Sequence, residues 1–226
     1  MLSAVMEDYI KAIYMIDKET GERVSTSALA EYLDVTPPTV SAMIKKLEQR
    51  GLADREDYKG VRLTADGDLV ALEILRHHRL LEAFLTEQLD FDWADVHKEA
   101  DRLEHHVSDE LTSRIADVLG DPGVDPHGDP IPDADLRLPE GEDRTRLDEV
   151  SIGDRVNVRR IRHQGDEELR YLSEAGVKPG VVLTVTDIAP FGMLTVETPS
   201  GTQSLPESIS RQIEISLVEP ESETAG

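Results

Sequence analysis

Hydrophobic residues recur at helical spacing through the first fifty positions of the chain. Residues 3–18 predict an amphipathic helix that ends at Gly21. Its apolar stripe consists of Val5, Tyr9, Ile13 and Ile16. Residues 25–33 open with three hydroxyl side chains and predict a second, capped helix. Residues 37–51 predict a third helix, because a Pro-Pro pair suits its first turn and a glycine suits its end.

Two short strands follow these helices. Residues 52–55 and 61–63 have strand-like patterns, and the polar stretch 56–60 can join them into a hairpin. Helix, helix, turn, helix and hairpin is the order of a winged helix-turn-helix, in which the helix after the turn enters the major groove of DNA. The pattern therefore predicts a DNA-binding domain over residues 1–64.

Small, hydroxylated or basic residues occupy the outward positions of the third helix, and basic residues occur on the hairpin. Such groups can meet base edges and phosphates. The candidate DNA contacts are Thr36, Pro38, Thr39, Ser41, Ala42, Lys45 and Lys46 on the helix and Arg55, Lys59 and Arg62 on the hairpin. A winged helix used only to bind another protein is the alternative interpretation.

Acidic residues are concentrated outside this first domain. The net charge of the chain is −23, but residues 1–64 hold 9 Lys+Arg against 11 Asp+Glu. Because an acidic surface repels nucleic acid, the near-neutral segment is the one suited to DNA. We interpret the remaining acidic excess as halophilic adaptation to a high-salt cytoplasm, and an acidic interaction surface is the weaker alternative.

Halophilic adaptation predicts that the stability of the protein depends on salt. The melting temperature should be higher in multimolar KCl than in dilute buffer, because screening relieves repulsion among the carboxylates. Thermal unfolding followed by circular dichroism at both salt concentrations measures this difference. Equal melting temperatures would contradict the interpretation.

Long helical patterns rich in leucine begin at residue 64. Residues 64–89 and residues 93–119 each predict one helix. The first of them carries Leu69, Leu72, Leu75, Leu80, Leu81, Phe84 and Leu85. This is more leucine than a small core requires, which favours burial in a two-fold homodimer interface, with ordinary core packing as the alternative.

The rest of the chain predicts a linker and a small β domain. Residues 120–149 hold five prolines and little periodicity, as a linker does. Strands are predicted at residues 155–161, 181–188, 194–198 and 213–218, with a short helix over about 166–175. Short strands broken by glycine and proline favour a compact five-stranded barrel. The acidic residues after Val218 predict a disordered tail.

Side chains able to bind metals are densest between His97 and His106. Four of them share one side of a helix, namely His97, Asp101, Glu104 and His105. His78 and Glu82 form a further i, i+4 pair. Imidazole and carboxylate groups suit divalent cations, so two such helices suggest a metal site between them. A solvated polar face is the alternative. Because the chain has no cysteine, thiolate ligands and disulfides are excluded.

Five segments distributed along the chain carry a resemblance to a known family. They are Met6-Glu7-Asp8-Tyr9-Ile10, Pro37-Pro38-Thr39-Val40-Ser41, Arg76-His77-His78-Arg79-Leu80-Leu81-Glu82, Val96-His97-Lys98-Glu99-Ala100-Asp101 and Pro126-His127-Gly128-Asp129-Pro130-Ile131-Pro132. Together they resemble the diphtheria toxin repressor family, which includes iron-dependent repressors and manganese transport regulators. The resemblance extends over essentially the whole chain.

This resemblance implies a fold that is mainly α with a small β C-terminal domain. The implied domains are a winged helix-turn-helix (1–64), a helical metal-binding and dimerisation domain (65–138), a linker (139–147), an SH3-like domain related to a ferrous-transport accessory protein (148–218) and an acidic tail (219–226). It also implies a cytoplasmic, homodimeric repressor of metal-uptake genes that binds a double-stranded DNA operator when Mn(II) or Fe(II) is bound. No membrane and no small-molecule substrate are expected.

The resemblance also implies two sets of metal ligands. The primary set is Asp8, Asp101, Glu104 and His105. The neighbouring set is His78, Glu82 and His97 with an acceptor from the barrel, for which Glu168 is best placed and Asp166 or Glu167 are alternatives.

Two departures from the family pattern affect the choice of metal. Iron-type members have Met at the position of Asp8 and Cys at that of Asp101, and the two carboxylates here suit Mn(II). The short manganese-type members, however, have Glu at the position of Lys11. A lysine cannot ligate a metal while it is charged. The cofactor is therefore expected to be Mn(II) or Fe(II), with a slight preference for Mn(II).

A metal-dependent hydrolase and a metal-storage protein are the rival functions. A hydrolase needs a general base distinct from the ligands, which the sequence does not offer, and neither function needs a DNA-binding domain. We therefore expect no enzyme. Among the other histidines, His77 and His106 are expected to be solvated and His127 structural or exposed, while His163 has no assigned role.

Overall fold

The computed structural model describes residues 2–139, 145–162, 165–190 and 192–218, which form two compact units. The first unit combines Met1–Leu81, Asp101–Val118 and Ile131–Leu138, and the second combines Glu82–Ala100, Leu119–Pro130 and Pro139–Gly226. The helical segment predicted as one domain over 65–138 contributes to both units. None of the helices in the described ranges is long and apolar enough to cross a membrane.

Three helices and a hairpin open the first unit in the predicted order. They are α1 (Ala4–Thr20), α2 (Thr26–Tyr32), α3 (Pro37–Gln49), β1 (Ala53–Glu56) and β2 (Gly60–Leu63). The hydroxyls of Ser3 and Ser25 cap α1 and α2, and Gly21 ends α1 with a positive φ of 70° that glycine adopts without strain. The winged helix-turn-helix is thereby confirmed.

The core of the first unit differs in one respect from the predicted stripe on α1. Val5 is 53% exposed, whereas Met6, Tyr9, Ile10 and Ile13 are buried. This buried face follows the i, i+3, i+4, i+7 spacing of a surface helix. Because α1 packs against α2, α3 and β2, its position is tied to that of the predicted recognition helix.

The helical region contains one break that was not predicted. After α4 (Ala65–Leu89), the prediction of a single helix over 93–119 is wrong, because α5 (His97–Leu103) and α6 (Asp109–Leu119) are separate. The backbone N–H of His106 donates to Leu103 in a tight turn, and the hydroxyl of Ser108 accepts from the first turn of α6. A hydroxyl at a helix start offers an alternative to continuing the preceding helix.

The leucines of α4 are mostly core residues of the chain itself. Leu75, Leu80, Leu81 and Leu85 are buried, while Leu69 is 49% exposed. Only part of the leucine surplus therefore remains available for a dimer partner.

Among its described residues, the second unit contains an antiparallel sheet of six strands rather than the predicted five. The strands are β3 (Thr145–Arg146), β4 (Arg155–Ile161), β5 (Val182–Ile188), β6 (Leu194–Thr198), β7 (Gly201–Leu205) and β8 (Ile213–Leu217), in the order β3-β8-β4-β5-β6-β7. The helices α7 (Asp166–Glu174) and α8 (Glu207–Ser210) connect them. The missed strands β3 and β7 are largely exposed and lack apolar alternation. The predicted tail lies outside the described residues.

Two loop segments of the second unit attach to the barrel. Trp93 lies in the barrel core, and its Nε1 donates to the Ser173 hydroxyl at 3.1 Å. The backbone N–H of Ile161 on β4 donates to the carbonyl of His127 at 2.8 Å. Gly128 has a φ of +85°, and a Cβ there would stand 2.1 Å from the carbonyl oxygen of Arg159. Glycine is therefore required for this close approach.

Candidate metal centre and DNA-binding surface

Polar side chains from three parts of the first unit converge beside α1. The helix itself presents Glu7, Asp8 and Lys11 at i, i+1 and i+4. His78 comes from α4, whereas Asp101, Glu104 and His105 come from the last turn of α5 and the turn that follows. Because the chain leaves the helix after Leu103, Glu104 and His105 are placed by a turn rather than by helical periodicity.

Asp8, Glu104 and His105 form a candidate metal site. His105 Nε2 lies 2.9 Å from Asp8 Oδ1 and 3.4 Å from Glu104 Oε1, and one ligand atom of each residue lies within 4.8 Å of the others. One imidazole nitrogen and two carboxylate oxygens form a donor set that fits Mn(II) or Fe(II). Burial raises the pKa of Asp8 despite the proximity of His105. A bound cation would offset this by favouring the ionised carboxylate.

Glu7 supports this site and was not predicted. Its carboxylate Oε2 lies 2.7 Å from His105 Nδ1, so that it can accept a hydrogen bond from that nitrogen. The bond directs the other ring nitrogen, Nε2, towards Asp8 and Glu104, as carboxylates behind metal-binding histidines commonly do. Glu7 stands next to Asp8 in the sequence, but its pairing with a residue 98 positions away has no local signal.

The ammonium group of Lys11 also contacts residues of this cluster. Its Nζ lies 3.0 Å from Asp101 Oδ1, 2.8 Å from Glu104 Oε2 and 3.1 Å from His78 Nδ1. Burial would raise the pKa of Glu104, but the contacts with His78 and Lys11 hold it below its usual range. Burial would likewise lower the pKa of Lys11, but Glu104 and Asp101 raise it. Both residues are therefore charged at neutral pH.

His78 also contacts the cluster beside α1. Within the first unit its Nδ1 forms a short contact with Glu104, and its action with Glu82 and His97 stays a prediction. Glu104 thus contacts both groups. Its Oε1 lies 3.4 Å from His105 Nε2 and 3.0 Å from Lys11 Nζ, and its Oε2 contacts His78 and Lys11. Asp101, predicted as a ligand of the primary site, has its Oδ1 3.0 Å from Lys11 Nζ and 3.4 Å from His78 Nδ1.

The second unit contains a separate buried cluster around Glu82. His97 Nδ1 lies 3.0 Å from Glu82 Oε1, and His127 Nδ1 lies 3.7 Å from Glu82 Oε2. Ligand atoms of Glu82, Asp125 and His127 lie within 4.8 Å of one another, and all three residues are buried. Among the described residues of the barrel, Glu168 and Glu167 belong to no such cluster. The side chain of Asp166 is outside the described part.

His127, which was expected to be structural or exposed, is buried. Its Nε2 donates to the carbonyl of Trp93 at 2.8 Å. Burial would lower its pKa, but the nearby carboxylates of Glu82 and Asp125 raise the pKa of His127 to about 9. A protonated imidazole then balances two buried carboxylates.

The expectation of two solvated histidines is half correct. His106 is exposed, but the side chain of His77 is only 12% exposed and its Nε2 lies 3.7 Å from Asp109 Oδ1. The start of α6 covers this face of α4, which helical spacing within α4 could not reveal. His163 lies outside the described residues.

The outer surface of α3 has the predicted composition. Val40, Ile44 and Leu47 are buried, so the opposite face is turned to solvent. On that face Thr36, Pro38, Thr39, Ala42, Lys45 and Lys46 are exposed and Ser41 is partly so. The hydroxyls of Thr36 and Thr39 lie 2.9 Å apart. A continuous strip of hydroxyl, methyl and ammonium groups is suited to a DNA groove.

The basic residues of the hairpin have unequal freedom to reach DNA. Arg55 is exposed, and Lys59 is exposed with its Nζ 3.1 Å from Glu56. Arg62 contacts the carboxylate of Asp17 at 2.7 Å and the carbonyl of Gly21 at 3.1 Å. These contacts hold the hairpin to the end of α1, so Arg62 has a structural role whatever else it binds.

Family models match nearly all of the described chain. The N-terminal DNA binding domain of iron dependent repressors matches residues 1–61, and their metal binding and dimerisation domain matches residues 64–133. The FeoA domain matches residues 145–217, which contain the barrel.

Individual proteins match over most of the chain. The chain is similar to the iron-dependent repressor IdeR of Mycobacterium tuberculosis, with 33% identity over 94% of this chain and 96% of that protein. The diphtheria toxin repressor of Corynebacterium efficiens is 32% identical over 79% of this chain and 81% of the relative. Among solved structures, a manganese-dependent transcriptional repressor in complex with manganese has a TM-score of 0.84 and 38% identity, covering 94% of this chain and all of that one.

Proposed function

We propose, because this chain belongs to the iron-dependent repressor family of metal-dependent DNA-binding regulators, that Mn(II) or Fe(II) bound by Asp8, Glu104 and His105 controls its binding to an operator. The single observation that supports this most is the convergence of Asp8 on α1 with Glu104 and His105 from the turn after α5. The ligands thus come from the winged helix-turn-helix and from the metal-binding and dimerisation segment.

The proposed control follows from where these ligands are attached. Asp8 is carried by α1, which packs on α2, α3 and β2. Glu104 and His105 are carried by the segment that precedes α6. The cation would supply positive charge at a place where carboxylates otherwise repel one another. Fixing α1 to that turn restricts the position of α3. A metal can shift the equilibrium between conformations that bind DNA and conformations that do not only if it makes different contacts in the two.

The metal is proposed to be Mn(II) or Fe(II), with a preference for Mn(II). The residues of the site offer imidazole and carboxylate donors, which favour Fe(II) over Mn(II) less than sulfur ligands do. The similar proteins include one described as iron-dependent and one described as manganese-dependent. Glu82 and His97 are proposed ligands of a second site, supported by their 3.0 Å contact.

The protein is proposed to act as a homodimer on double-stranded DNA, in the cytoplasm. A family model of the metal binding and dimerisation domain covers residues 64–133, and helix-turn-helix dimers read two-fold symmetric operators. An enzyme is not proposed. The carboxylate that stands closest behind His105 is Glu7, and its engagement with Nδ1 suits an orienting group better than a general base.

Operator binding with and without metal tests this function. Duplexes selected from a random pool in the presence of Mn(II) would be titrated by fluorescence anisotropy in multimolar KCl, with Mn(II), anaerobic Fe(II) or a chelator. We expect binding to be at least about 10-fold tighter with metal, in the range of ordinary allosteric coupling. Equal affinity with the chelator would overturn the proposal.

A further inference from the structure

A further group of side chains able to bind a metal lies where the start of α6 meets α4. Glu73 and His77 are one helical turn apart on α4 and share a face of that helix. Asp109, the first residue of α6, lies opposite them. One ligand atom of each residue, a carboxylate oxygen or an imidazole nitrogen, lies within 4.8 Å of the other two. All three residues belong to the first unit.

We propose that Glu73, His77 and Asp109 bind a divalent cation of the Zn(II) type, which holds the start of α6 against α4. One imidazole nitrogen and two carboxylate oxygens supply three protein ligands, and water supplies the fourth. This site shares no residue with the proposed regulatory site that includes Asp8, so either site can exist without the other.

The spacing of His77 and Asp109 suits two ligands of one ion. His77 Nε2 lies 3.7 Å from Asp109 Oδ1, which is longer than a hydrogen bond between such atoms. Two ligand atoms bound to a tetrahedral Zn(II) at about 2.1 Å are about 3.4 Å apart, so a shift of about 0.3 Å brings this pair to ligand spacing. Packing holds the imidazole in place, because the His77 side chain is only 12% exposed, whereas the Asp109 side chain is 87% exposed and can turn towards it.

The charge of this group also favours a cation. In the part of the chain that the structure describes, neither Glu73 nor Asp109 forms an ion pair with a lysine or arginine. By contrast, the carboxylate of Glu104 is paired with the ammonium of Lys11. Two carboxylates that converge on one imidazole repel each other, and a divalent cation between them replaces that repulsion with attraction.

The proposed ion would act on the turn that carries Glu104 and His105. This turn connects α5 to α6, and Asp109 follows it directly. At the same place Ser108 accepts hydrogen bonds from the first turn of α6, which fix the start of that helix only locally. An ion shared with α4 would tie this start to the neighbouring helix. We therefore expect a structural role for the ion, in which it fixes where the turn ends.

The number of Zn(II) ions bound by the full-length protein tests the inference. Equilibrium dialysis with elemental analysis in multimolar KCl would compare the native chain with Asp109→Asn, which keeps the shape of an exposed side chain and removes its charge. We expect Asp109→Asn to bind one Zn(II) fewer per chain. Glu110→Gln is the matched control, because it removes the same charge from the next, exposed position. It should bind as many ions as the native chain.

Two results would overturn the inference. One is an unchanged Zn(II) count in Asp109→Asn; the other is an equal loss in Glu110→Gln, which would indicate general binding to an acidic surface. His77→Gln, checked for folding by circular dichroism, removes a second ligand and should lose the same ion.

Asp8→Ala separates this site from the proposed regulatory site. If both sites exist, Asp8→Ala and Asp109→Asn each lose one ion and the double variant loses two. A loss in Asp109→Asn alone would support this inference and contradict the regulatory site. A loss in Asp8→Ala alone would overturn this inference and leave the proposed function standing.

Discussion

Asp8→Ala is expected to abolish the metal-dependent gain in operator affinity while leaving the protein folded and dimeric. Asp8 is the ligand that α1 contributes to the candidate site, and its Oδ1 lies 2.9 Å from His105 Nε2. Without it, a cation bound by Glu104 and His105 no longer joins the turn to the helix that positions α3. In excess Mn(II), we expect affinity to fall by about 10- to 100-fold, towards the value measured with chelator.

The measurement is the anisotropy titration in Mn(II) and in chelator, with light scattering to confirm the dimer. Glu19→Ala is the matched control, because Glu19 is an exposed acid on the same helix. It removes the same charge without touching the site and should retain the response to metal. An undiminished response in Asp8→Ala would show that Asp8 is not the connecting ligand.

Glu104→Ala is expected to destabilise the metal-free first unit by about 3 kcal/mol, as when one partner of a buried ion pair is removed. The Lys11 ammonium would lose its buried carboxylate and keep Asp101, whose side chain is 46% exposed, as its acidic partner. His78 would also lose its contact with the Glu104 carboxylate. Urea unfolding with chelator present measures the loss in free energy.

A double variant shows whether the loss comes from the stranded ammonium. Adding Lys11→Met to Glu104→Ala should recover part of the stability, since the unpaired charge is then removed. Glu110→Ala is the surface control, because its pair with Arg114 is exposed on both sides and is expected to contribute at most about 0.5 kcal/mol. If the control and Glu104→Ala lose equal stability, the buried pair contributes no more to stability than an exposed pair does.

The same pair has a defined dependence on pH. The pKa of Glu104 is lowered in the folded protein, so its stabilising contribution is present above the ordinary value of 4.5 and is lost as pH falls through the folded pKa. The pKa of Lys11 is raised, so its contribution is complete below 10.5 and is lost only as pH rises above that value. The destabilisation by Glu104→Ala should therefore be full at pH 7 and shrink in acid.

Local patterns predicted the elements whose apolar residues repeat within a few positions. The helices α1, α2 and α3, the hairpin and the strands β4, β5, β6 and β8 all carry such repeats. The strand β7 was missed because it is mostly exposed, so no apolar alternation marks it. The single helix expected over 93–119 was wrong because a serine-capped start at α6 outweighed continued apolar periodicity.

The resemblance of short sequence segments to a known family implied both the family and its metal-dependent DNA-binding function, and the comparisons confirm both. Short segments suffice for that, because such a resemblance depends on the identity and order of residues and not on how they pack. The candidate ligands were identified in the same way and remain predictions. Their roles as ligands depend on metal binding, which the experiments above measure.

The tertiary structure alone decided which charged groups share a site. Helical spacing grouped His97 with Asp101, but it could not place Glu7 behind His105 or Lys11 among Asp101, Glu104 and His78. Those pairs are separated by 67 to 98 residues, and their distances depend on how helices pack and where a turn ends α5. The sequence alone indicates only that Lys11 cannot ligate a metal. Packing places its ammonium group among the candidate ligands.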